Sequence, residues 1–255
     1  MQLKTLDKAV ESKPPMTALL YCAPGVGKST AIGLIAEQTK GRTLVLDVDR
    51  TFVNAMRKME IVHDLSKVDV VEVENRSRQI DRETREVTVE GTFESWTNLL
   101  KELNELYEAG KLDYENICVD NISELERCIL SDLGAQGKNK GVPAQADYQY
   151  MQFKLVNSLR FMKSWGVNVF WTAWETTEQF QNPDGTGYSR RYPKISAKIV
   201  DNICGLCDVV GRIQVGKDGS RGIILEATNN TYAKNQIDTR KSCAVEKFIN
   251  NTKED

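Results

Sequence analysis

The sequence predicts an α/β domain: a mainly parallel sheet flanked by helices, with a β-hairpin at the C-terminal edge. Three observations carry that prediction. Short apolar runs alternate with helical runs of three- and four-residue periodicity. A Gly-Lys-Ser sits between the first apolar run and a helix, at Gly27-Lys28-Ser29. Late in the chain, two β-rich runs flank Lys217-Asp218-Gly219, a good hairpin signal. No internal repeat, low-complexity tract or linker interrupts the 255 residues, so the chain reads as one domain over 1–255 with a polar tail at about 250–255.

In chain order, Thr17 to Cys22 is a buried strand, and the helix after Thr30 runs through Ile32 and Ile35 to Gly41. Thr43 to Asp49 is the next strand. Val68 to Glu74 and Glu86 to Glu90 are β-branched runs around a charged stretch, readable as a hairpin. Phe93, Trp96, Leu100, Leu103 and Tyr107 recur at helical spacing and stop at Gly110. Tyr114 to Asp120 is a buried strand, and Ile122 to Leu133 a helix ending at Gly134. Gly134 to Pro143 is a loop, Gln145 to Trp165 a helix, Val167 to Ala173 a strand. Gln179 to Pro193 reads as a flexible loop with turn signals at Pro183-Asp184-Gly185. Ile195, Ile199, Ile203 and Leu206 lie on one helix face.

Composition narrows the class. The chain is 40% apolar and 27% charged, with a formal charge of −2. Such a chain can bury a core and is neither disordered nor fibrous. No apolar run reaches the roughly 20 residues that span a bilayer, and Met1 to Lys13 lacks secretory-signal character. Binding nucleic acid by overall charge is excluded; a local basic patch is not. Six cysteines in mostly apolar surroundings suit reduced thiols in the cytoplasm. Cys204-x-x-Cys207 reads as two cysteines on a buried helix face before it reads as a zinc or redox pair. With His63 the only histidine, Ser-His-Asp or multi-His metal chemistry is improbable.

The chemistry centres on Ala23-Pro24-Gly25-Val26-Gly27-Lys28-Ser29-Thr30. Glycines let backbone N–H groups approach phosphate oxygens, and the helix N-terminus adds partial positive charge. Lys28 would reach the β- and γ-phosphates of a nucleoside triphosphate, and the Ser29 hydroxyl would hold Mg2+. The full G-x-x-x-x-G-K-[ST] pattern has Gly where this chain has Cys22; Pro24-Gly25 supplies the turn instead. Ile117-Cys118-Val119-Asp120, an apolar strand ending in Asp, has the form of Walker B, so Asp120 is the expected metal carboxylate. The alternative is a plain helix cap. Asp49, at the end of the second strand, and Glu124, one turn past Asp120, are rival groups for orienting water.

This order of parts resembles the RecA-fold P-loop ATPases, and looks closest to the RecA/RadA-like single-strand-annealing ATPases of phage recombination. The resemblance rests on Tyr21 to Thr30, Val45 to Asp49, Ile117 to Leu125, Phe170 to Glu175 and Leu206 to Arg212, with a weaker match at Ala233-Lys234-Asn235. It implies a RecA-like P-loop NTPase fold and ATPase activity. It also implies that Thr172 and Glu175 sense the γ-phosphate and that Lys234 acts in trans on a neighbour's nucleotide, unless Lys234 is only an exposed lysine. Trp174 stands where the family often has His. Two segments occupy the family's DNA-contacting places: Lys138 and Lys140 after Walker B, and Tyr188, Arg190, Arg191, Tyr192, Lys194 and Lys198 after the sensor strand. Arg and Lys would neutralise phosphates and Tyr would stack on bases; a solvated surface loop is the alternative.

The expectation is an Mg2+-dependent ATPase acting on single-stranded DNA in phage-type recombination or annealing. It would be a homo-oligomer, ring or filament, with a single-strand-binding or replication protein as a possible partner and no membrane contact. A loader-type or packaging P-loop motor, and an ATP-binding regulatory module with little turnover, are the alternatives.

Overall fold

The computed structural model describes residues 14–58, 62–73, 76–80, 83, 87–139, 141–181 and 184–249. Lys140, Pro183, Met1 to Lys13, Glu74, Glu86 and the tail from Asn250 therefore lie outside the described residues. The elements are β1 (Thr17–Cys22), α1 (Lys28–Glu37), β2 (Thr43–Asp47), α2 (Phe52–Arg57), β3 (Val68–Glu72), β4 (Arg76–Ile80) and β5 (Val87–Gly91). They continue with α3 (Thr92–Glu108), β6 (Asn116–Asp120), α4 (Ile122–Gln136), α5 (Gln145–Lys163), β7 (Asn168–Gln181) and β8 (Gly187–Pro193). The last are α6 (Val200–Leu206), β9 (Val209–Val215), β10 (Arg221–Ile224), β11 (Lys234–Asn235) and β12 (Ser242–Ala244).

The main sheet has the order β12-β10-β9-β1-β7-β6-β2-β3. From β9 to β3 every pair is parallel; β10 and β12 run antiparallel at one edge. Strands β1, β2 and β6 are buried along their whole length, which is why they read as unbroken apolar runs. Successive residues then feed two cores, one on each side of the sheet. Leu19, Tyr21, Val119 and Trp171 pack with Trp96 of α3, Leu125 of α4 and Leu155 of α5. Leu20, Cys22, Cys118 and Phe170 pack with Ile32 and Ile35 of α1 and Phe52 of α2. Strand β7 thus lies between the strand that enters the Gly-Lys-Ser loop and the strand that ends in Asp120. The loop opens at the C-terminal end of the sheet, where α/β folds bind ligands.

Four expectations change. Most of the stretch predicted as a flexible loop is strand: β7 runs out to Gln181 and pairs antiparallel with β8 from Gly187 to Pro193, with Phe180 opposite Tyr188 and Thr177 opposite Arg191. The polar residues had masked a period of two. The arm is tied down at its base, where Tyr21 Oη donates to the carbonyls of Arg191 at 3.1 Å and Tyr232 at 2.6 Å. Second, the two β-branched runs do not pair with each other: β3 joins β2 in parallel, while β5 pairs with β4 from the charged stretch. Third, α4 continues through Gly134 to Gln136. Gly134 is kept small by a close approach: a Cβ there would lie 2.8 Å from the Gly141 carbonyl oxygen. Fourth, only the second half of the Ile195 to Leu206 stretch is helical, as α6, although Ile195, Ile199 and Ile203 all reach the core. The predicted C-terminal hairpin forms as β9 and β10, with Gly219 at φ 83° in its turn.

Candidate nucleotide site

The loop from Ala23 to Gly27 turns on two glycines with positive φ, Gly25 at 79° and Gly27 at 121°. Glycine pays no Cβ penalty there. Helix α1 begins at Lys28, and Ala31 N–H donates to the Gly27 carbonyl at 2.9 Å. Neighbouring N–H groups at this N-terminus favour an anion. Lys28 is buried to 9% exposure, Ser29 and Thr30 follow on the first turn, and Pro24 and Gly25 form the exposed rim, with Val26 half-buried. Cys22, at the absent first glycine, is the buried last residue of β1, and burial pushes its thiol up to about 11.

Asp120 ends β6 in register with Asp47 of β2. Its side chain is 1% exposed and held at both oxygens: Ser29 Oγ donates to Oδ2 and Thr172 Oγ1 donates to Oδ1, each at 2.6 Å. Burial raises the Asp120 carboxyl above its ordinary range, and the two hydroxyls work against that rise. Thr172 of β7, buried completely, is therefore joined to the carboxylate on the next strand. Hydroxyl and carboxylate oxygens on one rigid sheet end are hard donors, and the set fits Mg2+.

The acidic neighbours divide their work. Asp49 Oδ1 accepts from Thr51 Oγ1 at 2.6 Å and Oδ2 from Asn121 Nδ2 at 2.8 Å. Asn121 also caps α4, its Oδ1 accepting from Glu124 N–H at 2.9 Å. That residue was legible as an Asn between a strand and a helix, yet its link to Asp49 was not. Asp47 accepts from the N–H groups of Thr51 and Phe52 at the start of α2, and burial pushes its carboxyl up to about 6. Glu124 accepts from Cys128 Sγ at 3.5 Å and faces Arg127 at 4.0 Å.

Glu175 sits one residue past Trp174, which pairs in register with Cys22. Its nearly buried carboxylate meets Arg212 of β9 at 2.6 Å and Arg191 of β8 at 3.6 Å. The Arg212–Glu175 pair bridges β9 and β7 across β1. Neither arginine was assigned this role from the sequence, because the partnership exists only through strand order.

The remaining predicted residues separate. Lys138 is exposed two residues past the end of α4, and Lys198 is exposed before α6. Arg190 lies with its guanidinium 5.5 Å from both the Phe180 and Tyr188 ring centres, and those two rings stack at 5.5 Å. Lys194 Nζ sits 5.6 Å from the Trp174 ring centre. Arg191 points to the opposite face of the hairpin, toward Thr177 and Glu175. Two expectations are corrected. Tyr192 is buried and donates to Asp201 at 3.0 Å, so its ring cannot stack on a base. Lys234 Nζ donates to the carbonyls of Cys204, Gly205 and Cys207, at 3.3, 3.1 and 2.6 Å. It caps the C-terminus of α6, where a cation is favoured, instead of projecting toward a neighbour. Cys204 and Cys207 are buried in the core, and burial pushes Cys204 up to about 12. Among the described residues no helix is long and apolar enough to cross a membrane.

A parallel sheet with β7 between the loop strand and the Asp120 strand, and Ser29 hydrogen-bonded to Asp120, defines a RecA-like P-loop NTPase. A family model described as an AAA domain matches residues 14–237. The chain belongs to this AAA-domain family, a group of P-loop ATPases. Among solved structures it is similar to a KaiC-like protein from the hyperthermophilic archaeon Pyrococcus horikoshii OT3, at 14% identity over 83% of this chain and 79% of that one, with a TM-score of 0.44. No curated protein matches it.

Proposed function

We propose that this protein binds and hydrolyses ATP with Mg2+ and uses the nucleotide state to control binding of single-stranded DNA. The observation that carries the first part is the Ser29–Asp120–Thr172 chain of hydrogen bonds at the mouth of the loop. In this reading the loop amides and Lys28 hold the phosphates, and Ser29 and Asp120 hold the metal. Bound Mg2+ neutralises phosphate charge. Asp49, oriented by Asn121 and Thr51, accepts a hydrogen bond from the attacking water. Thr172 and Glu175 couple phosphate occupancy to the β7–β8 arm, because both lie on the strand that becomes that arm.

The DNA part is supported by chemistry on the arm. Phe180 and Tyr188 form a stacked pair with Arg190 over both rings, and Lys138, Lys194 and Lys198 add positive charge at exposed positions. Aromatic faces with cations are what single strands use for sequence-tolerant contact. Annealing in phage-type recombination, as a homo-oligomer alongside a single-strand-binding or replication protein, is the specific role proposed. A second reading, an ATP-binding module with little turnover, is favoured by one observation: both Asp49 oxygens are already engaged.

The test measures phosphate release from Mg-ATP with and without single-stranded DNA, together with annealing of complementary strands, in the wild type and Lys28→Ala. DNA-stimulated turnover with ATP-dependent annealing, both lost in Lys28→Ala, is the expected result. Stimulated turnover without annealing would point to a loader or other motor. ATP binding with negligible turnover would establish the second reading.

A further inference from the structure

A cation on the C-terminal hairpin lies against the phosphate loop and has no assigned role. A Cβ built on Gly27 would meet Arg221 Nε at 2.6 Å and Arg221 Cδ at 3.3 Å. Arg221, the first residue of β10 and in register with Val215 of β9, therefore lies directly over the glycine that precedes Lys28. Its Nε is buried and has no hydrogen-bond partner among the described residues. Thr30 Oγ1, on the first turn of α1, is also buried without a partner, and it lies 3.2 Å from the same Cβ position. Two polar atoms thus flank one side of Gly27 unsatisfied. Burying such groups unpaired is unfavourable, and a partner that enters the site repays it.

The surroundings say what that partner is. Arg212, one strand nearer the loop on β9, is neutralised by Glu175 at 2.6 Å. Arg221 reaches the loop from the β10 side, whereas Asp120 of β6 and Thr172 of β7 reach Ser29 at the start of α1 from the other side. A nucleotide whose terminal phosphate lay toward the Asp120 side would turn a more internal part of its polyphosphate toward the Arg221 side of Gly27.

We infer that Arg221 is a nucleotide-contacting residue in cis, donating to a phosphate oxygen common to nucleoside diphosphates and triphosphates. The inference rests on the nucleotide-binding reading of the loop. It also gives the C-terminal hairpin a function: β10 delivers a guanidinium, whose planar donor set suits phosphate, to a loop that already supplies amides and an ammonium.

The test is equilibrium binding of N-methylanthraniloyl-ATP and N-methylanthraniloyl-ADP, with Mg2+, to the wild type, Arg221→Met, Arg221→Lys and Lys28→Ala. Thermal melting of each nucleotide-free protein serves as the fold check. Arg221→Met keeps the stem across Gly27 and removes the donors. It is expected to weaken both nucleotides by about tenfold and by equal factors, with melting unchanged. Arg221→Lys should fall between it and the wild type. Affinities within twofold of wild type for both nucleotides, or a loss confined to ATP, would overturn the inference. Should Arg221→Met not fold, Arg221→Lys decides: equal weakening of both nucleotides by threefold or more supports the contact, and wild-type affinity rejects it. Lys28→Ala separates the two claims. If Lys28→Ala loses binding while Arg221→Met and Arg221→Lys retain it, only the Arg221 contact fails. If Lys28→Ala binds like wild type, the loop reading itself fails.

Discussion

Ser29 and Asp120 are 91 residues apart in the chain and 2.6 Å apart in space. Their hydrogen bond joins the first turn of α1 to the end of β6, across the strand that carries Thr172. It explains why the short sequence signals at these positions form one site. The sheet brings a hydroxyl, a carboxylate and a second hydroxyl into line at the mouth of a glycine loop.

Thr172→Val tests the far end of that line. Removing the buried hydroxyl leaves Asp120 Oδ1 without its donor, and an unsatisfied buried acceptor costs about 1–3 kcal/mol. Urea unfolding of the nucleotide-free protein should show a loss in that range, with phosphate release reduced as well. An unchanged unfolding midpoint would remove Thr172 from the site's support.

The hairpin arm separates two adjacent arginines. Arg190 lies on the aromatic face with Phe180 and Tyr188, while Arg191 is spent on Glu175 and Thr177. If the arm binds single strands as proposed, Arg190→Ala should weaken that binding several-fold and flatten its dependence on salt, because a cation available to phosphate is removed. Arg191→Ala should affect DNA less and nucleotide-dependent coupling more. Equal effects of the two variants on the salt slope would remove the facial distinction.

Glu175 holds Arg212 across β1 as well as Arg191. Glu175→Gln leaves two arginines less well paired at a nearly buried position. A loss of about 1–3 kcal/mol in stability is expected, read by chemical denaturation. The coupling can be isolated by a double-mutant cycle with Arg212→Gln, where additive losses would deny the ion pair its role.

The Cys204 and Cys207 thiols have a defined pH behaviour. Burial raises Cys204 from an ordinary 9.0 to about 12, and raises Cys207 further in the same direction. In the unfolded chain both ionise near the ordinary value. The folded state thus holds more protons above about pH 9, and the stability these groups contribute falls as pH rises beyond that point. Below it their contribution is constant. Native protein at pH 8 should react with iodoacetamide at these two positions at least about tenfold more slowly than unfolded protein. Fast modification of either would restore the zinc or redox reading of the pair.

Much of this was legible because local physics and global fold agreed. The loop, the acidic strand ends and the C-terminal hairpin each follow from residues close in sequence. Buried parallel strands announce themselves as apolar runs, and Gly25 and Gly27 announce a turn. The β7–β8 arm was missed because its alternation is written in Thr, Glu, Gln and Arg, which also compose solvated loops. Lys234 was misread because a basic residue near a late strand gives no hint that α6 ends beside it. The surroundings of Glu175, Arg212 and Arg221 depend on the order β10-β9-β1-β7, and strand order is a long-range property. The corrections therefore fall where polar residues hide a local pattern or where a side chain's partner comes from another element.

The most direct test of the central claim is magnesium-dependent phosphate release from ATP by Asp120→Asn. This near-isosteric change keeps the position that Ser29 and Thr172 surround but removes the negative charge. The account predicts folded protein whose turnover falls by about 10²-fold or more. Undiminished Mg2+-dependent turnover in Asp120→Asn would contradict it.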